Sequence, residues 1–100
     1  METKIKNLEF NTEFNILFVN EEKQVLTKIE SKLLSMLMGK PNELQLRDDI
    51  LSSIWGKTDY FTGRSMDVYI CKLRKFLKPL KNVQIVNKHG KGYVFEVTEE

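Results

Sequence analysis

KHGKGYVFEV, residues 88 to 97, sets two glycines, two lysines and the only histidine of the chain directly before an apolar run. A phosphate-cradling glycine loop would have to follow a strand and open a helix. Tyr93-Val94-Phe95 instead has the aromatic and β-branched character of a strand. With Val83 and Ile85 on the near side, the pattern predicts a β-hairpin over residues 83–97, its turn within 87–92 and its tip basic. This choice decides the fold, because whatever lies upstream now ends in a β wing.

Upstream lies RSMDVYICKLRKFL, Arg64 to Leu77, in which Met66, Ile70, Leu73 and Leu77 form the buried stripe of an amphipathic helix over 64–77. The opposite face collects Ser65, Val68, Lys72 and Lys75, with Arg64 at its start and Lys78 beyond, and Pro79 ends it. A helix of this width fits the major groove of DNA, where lysine reads guanine, a methyl-bearing side chain meets the thymine methyl, and further cations neutralise phosphates.

Gly56 to Gly63 reads as a loop. Its Tyr60 and Phe61 are expected to tuck back onto the core, the alternative being that part of the loop presents a partner surface. A second helix spans about Arg47 to Trp55, with Asp48 and Asp49 in its first turn and Ile50, Leu51, Ile54 and Trp55 as its apolar stripe. Trp55 is expected in the core, where truncation to alanine costs about 3 to 5 kcal/mol. A first helix begins at Lys28 behind a Thr27/Glu30 capping box, buries Ile29, Leu33, Leu34, Leu37 and Met38, and stops at Gly39 and Pro41. Before it, IKNLEF, FNILFVN and KQVLT read as three or four short antiparallel strands. The expected architecture is α+β: a winged helix-turn-helix with an N-terminal sheet (1–27), a three-helix core (28–78) and a wing hairpin (83–97), one domain over residues 1–100.

Charge is distributed unevenly along the chain. Residues 1–63 hold eight Lys or Arg against ten Asp or Glu, whereas residues 64–100 hold eight against four. An anionic partner is therefore expected at the last third, nucleic acid first and an anionic membrane surface second. One cysteine excludes an intrachain disulfide and fits a reducing compartment. METKIKNLEFN lacks the apolar segment of a secretory signal, and no apolar run approaches the roughly eighteen residues of a membrane span. The expected location is cytoplasmic. A single histidine far in sequence from the single cysteine offers no catalytic or metal-ligand spacing, so neither an enzyme nor a cofactor is expected.

Four patches, in order and in register, resemble a known family: LTKIESKLLSML, DDILSSIWG, RSMDVYICKLRKFL and GKGYVF. Together they resemble the C-terminal winged-helix effector domain of bacterial two-component response regulators of the large transcription-factor class, over about seventy residues from Leu26 to Phe95. The resemblance also implies a four-stranded N-terminal sheet. Its functional implication is a transcription regulator that binds double-stranded DNA at direct-repeat sites as a homodimer, joined to its own receiver domain. Carried over by position, Arg64 and Ser65 resemble phosphate contacts. Val68, Cys71 and Lys72 resemble groove-facing residues, and Tyr69 and Arg74 resemble positions that touch the DNA backbone or brace the helix.

Lys75 on the helix, with Lys88, His89 and Lys91 at the wing, completes the expected DNA-binding set. The loop carrying Lys57, Thr58, Asp59 and Tyr60 resembles the one through which some members meet RNA polymerase. The departures are Cys71 and Lys72 where arginine is common, which weakens bidentate guanine recognition, His89 where the wing often has arginine, and Leu46 in place of the usual serine cap. A winged helix used only for protein contacts is the rival reading, since the fold alone does not imply DNA.

Overall fold

The computed structural model describes residues 5 to 98. Their order is β1 (Leu8–Asn11), β2 (Ile16–Val19), β3 (Glu22–Val25), α1 (Lys28–Met38), β4 (Leu44–Leu46), α2 (Arg47–Trp55), α3 (Tyr60–Leu77), β5 (Val83–Asn87) and β6 (Gly92–Val97). It is a winged helix-turn-helix with an N-terminal antiparallel sheet and a C-terminal hairpin.

Alternation creates the first sheet, β1-β2-β3. Leu17 and Val19 point into the core while Ile16 and Phe18 stay half-exposed. Asn20 and Glu21 both take positive φ between β2 and β3, as a two-residue hairpin turn with the right-handed twist of the strands requires. Among the described residues this sheet has three strands, extended only by an isolated bridge between Ile5 and Leu8, rather than four. Thr27 caps α1 through the expected reciprocal box: the Glu30 amide donates to Thr27 Oγ1 at 3.2 Å, and the Thr27 amide donates to Glu30 Oε1 at 2.8 Å. Leu33, Leu34 and Leu37 on α1 are fully buried and meet Ile50 of α2, Met66, Ile70 and Leu73 of α3, and Phe95 of β6.

The region between α1 and α2 departs from the expectation of helices alone. β4 lies there and pairs with β6, so the wing hairpin belongs to a three-stranded sheet of order β4-β6-β5. The pattern of β4 is inverted. Its polar middle residue, Gln45, is buried and donates to the Met36 carbonyl at 2.9 Å, whereas Leu44 and Leu46 are exposed. Leu46 provides no side-chain cap for α2. The wing supplies a partner instead, the Arg47 amide donating to the Lys91 carbonyl at 2.9 Å. Gly92 owes its identity to this approach: a Cβ there would collide with the Gln45 backbone. Contact with the molecule's own β4 requires that glycine.

Candidate nucleic-acid interface

α3 starts at Tyr60, four residues before the expected Arg64, because Asp59 is a strong cap. Its carboxylate accepts from the Thr62 amide at 2.8 Å, and Thr62 Oγ1 accepts from the Asp59 amide at 3.0 Å. The bond from the Thr62 amide, above all, holds the Asp59 carboxyl below its ordinary pKa. Gly63 therefore lies inside the helix and does not end a loop. There it makes room for α2, since a Cβ would come within 2.9 Å of the Arg47 guanidinium. The loop shrinks to residues 56–59, and Gly56, with φ of 75°, closes α2 in the left-handed region.

The inner face of α3 is the anticipated one: Met66, Ile70, Leu73 and Leu77 are at most 2 % exposed. Thr62 and Gly63 join it one turn earlier. On the outer face Arg64, Val68, Cys71, Lys72 and Lys75 are exposed, and Ser65 is half-buried among them. Tyr69 is also half-buried, its ring 6.2 Å from that of Trp55 and 5.5 Å from Lys72 Nζ. Arg74 faces another way. Its Nε donates to the Ile85 carbonyl at 3.0 Å and its guanidinium lies 6.0 Å from the Tyr93 ring, so it braces α3 against the C-terminal sheet.

Arg47 and Asp67 form the cluster that the sequence reading did not single out. Arg47 Nη1 donates to Asp67 Oδ1 at 3.0 Å, Nη2 donates to the Gly63 carbonyl at 3.1 Å, and Tyr93 donates to Asp67 Oδ1 at 3.3 Å. The hydrogen bond to Asp67 raises the Arg47 pKa, while burial raises that of the Tyr93 phenol. α2, α3 and β6 are thereby tied at one carboxylate. An arginine opening one helix and an acid midway along the next are twenty residues apart, with no periodicity to link them.

At the wing, Asn87 Oδ1 accepts from the Gly90 amide at 2.9 Å, and both His89 and Gly90 take positive φ. His89 and Lys91 are exposed. Lys88 is half-buried, its ammonium 3.4 Å from Glu96, so part of its charge is already spoken for. At the short loop, Lys57 pairs with Asp59 at 3.5 Å, and Thr58 is exposed. Tyr60 and Phe61, 71 % and 77 % exposed, stack edge to face with centroids 5.5 Å apart. They do not tuck onto the core. The early start of α3 places them in its first turn, on the solvent side. Among the described residues, no group of three His, Cys, Asp or Glu side chains could hold a metal ion, and no helix is long and apolar enough to cross a membrane.

Three helices against two small sheets, with a cationic outer helix and a basic hairpin tip, define the winged helix-turn-helix class. The chain belongs to the family described as transcriptional regulatory protein, C terminal, whose pattern it matches over residues 21–95. It is 47% identical over 90 residues to the transcriptional regulatory protein RprY of Bacteroides fragilis, covering 90% of this chain and 38% of RprY. To the phosphate regulon transcriptional regulatory protein PhoB of Shigella flexneri it is 32% identical over 93 residues, covering 92% of this chain and 41% of PhoB. The chain thus spans about two fifths of the length of these relatives. The DNA-binding domain of CpxR from E. coli shares the fold, with a TM-score of 0.82, 20% identity and coverage of 97% of both chains. The Klebsiella pneumoniae RstA DNA-binding domain, solved in complex with the RstA box, aligns with a TM-score of 0.76 and 26% identity, covering 94% of this chain and 95% of that one.

Proposed function

We propose that this chain is the output domain of a response regulator and binds double-stranded DNA sequence-specifically to regulate transcription, with α3 in the major groove and the 87–92 tip on the backbone or minor groove. One observation carries the reading. The outer face of α3 is cationic and apolar, and the helix's one acid, Asp67, is held by Arg47. Such a face meets phosphates without a carboxylate to repel them. In this assignment Arg64, Ser65 and Lys75 contact the backbone, Val68, Cys71 and Lys72 face base edges, and Tyr69 supports them. His89 and Lys91 lead at the wing. Lys88 contributes less, because Glu96 shares its charge, and Arg74 contributes through bracing alone.

The partners follow from the same reading: a receiver domain on the longer protein, a second copy on direct-repeat half-sites, and a cytoplasmic location beside the DNA. On direct-repeat half-sites one helical turn apart, two copies would stand roughly 34 to 36 Å from centre to centre. A protein-contact reading has support of its own at one place. The exposed Tyr60–Phe61 pair, beside Lys57, Thr58 and Asp59, suits a protein surface such as RNA polymerase. That contact complements DNA binding and does not replace it. Selection of bound duplexes from a randomised library tests the function: an enriched motif repeated in direct orientation at about one helical turn is expected, and a pool without any motif would refute it.

A further inference from the structure

Lys72 has an exposed, flexible four-carbon stem, which by itself would spread its charge over several base pairs. Its ammonium nevertheless sits 5.5 Å from the centre of the Tyr69 ring, one helical turn back toward the N-terminus of α3. Long helical side chains lean in that direction. The ring is itself restrained: Tyr69 packs against the core, and Trp55, the last residue of α2, lies 6.2 Å away at an angle of 37°. A half-buried aromatic backed by a second aromatic thus offers the lysine a fixed electron-rich surface.

We propose that Tyr69 is a positioning residue for Lys72: its ring holds the ammonium back along α3 and so sets which base pair Lys72 reads. The proposal rests on α3 being the DNA-reading helix. It also gives a reason for lysine at a site where a planar guanidinium would be the stronger base reader, because the restraint comes from the neighbouring ring rather than from the cation's own shape.

The test is duplex selection from a randomised library with the 100-residue chain, run in parallel for wild type, Tyr69→Phe, Tyr69→Leu, Lys72→Ala and the Tyr69→Leu/Lys72→Ala pair. Tyr69→Phe keeps the aromatic face and should recover the wild-type motif. Tyr69→Leu should lose about two- to fivefold in discrimination, the ratio equivalent to an exposed cation–π contact, at the same base pair that Lys72→Ala relaxes. Added to Lys72→Ala, it should change nothing further at that position. Thermal melting accompanies each variant, and Tyr69→Met, with a long apolar side chain and no ring, replaces Tyr69→Leu if the latter fails to fold. A uniform loss of affinity with an unchanged motif overturns the proposal and makes Tyr69 a packing or phosphate residue. Relaxation at a different base pair also overturns it. A motif that survives Lys72→Ala refutes the role of Lys72, and a wild-type chain that selects no motif refutes DNA reading altogether; the proposal falls with either, and the two failures are told apart.

Discussion

Asp67 is the only acid on α3, and left free it would set an unpaired negative charge on the helix proposed to approach phosphates. Arg47 removes that conflict by pairing with it at 3.0 Å while also donating to the Gly63 carbonyl. Both side chains keep substantial exposure, so the pair contributes at most about 1 kcal/mol to stability, and its larger effect is on the charge pattern. Lys72 lies on the exposed outer face of the same helix. Lys72→Ala should cost about 1 to 3 kcal/mol on the preferred duplex and relax one base pair, as measured by titration against single-base variants; an equal loss on every duplex would make it a phosphate contact. Trp55 is half-buried against Tyr69 rather than enclosed, so Trp55→Ala should cost about 2 kcal/mol in chemical denaturation, below the figure for a fully buried tryptophan. Helical period alone had already separated the α3 core residues from Arg64, Val68, Lys72 and Lys75. It could not reveal that Arg74 turns to Ile85 of β5 or that Lys88 is shared with Glu96 of β6, because a period assigns a residue to a face without naming the partner it meets there.

Capping and closure set the behaviour of the elements. The first turn of α3 depends on the Asp59 carboxylate, whose folded pKa lies below the ordinary value because it accepts the Thr62 amide. Its contribution is complete above the ordinary aspartate range and disappears as pH falls through the lower folded value. Acidification should therefore fray residues 60–63, read as loss of amide protection in hydrogen exchange, and Asp59→Ala should show that fraying already at neutral pH. At the wing, Lys91 is exposed on a turn whose fold is held by backbone bonds and Asn87. Lys91→Ala should weaken specific and non-specific duplexes by similar factors and reduce the log-log salt slope by about one, with the circular dichroism spectrum unchanged. An unchanged slope would place the residue away from phosphate. The helices were legible because each runs long enough to display a period, and the hairpin because aromatic and β-branched residues follow a glycine-rich turn. β4 was not, being three residues long with glutamine inside and leucines outside, and α3 began earlier than Gly63 suggested because a glycine chosen for a close helix crossing looks, in sequence, like a glycine chosen for a turn.

Across the whole molecule, the acidic balance lies in residues 1–63 and the basic balance in residues 64–100, so α3 and the wing share one sign of charge. The fold joins these two elements physically: the Lys91 carbonyl receives the first amide of α2, Gly92 packs on β4, and Tyr93 reaches Asp67. Helix and wing are thereby tied within one packed unit, as the proposed contact of α3 with the groove and of the wing with the backbone requires. The direct test is equilibrium binding of the chain to its selected duplex and to a duplex with two altered base pairs, each at several salt concentrations. The account predicts that log affinity falls linearly with log salt, by about 0.9 for each phosphate contacted, and that the two changes weaken binding by about 2 to 6 kcal/mol. Binding indifferent to salt, or equal on both duplexes, would contradict it.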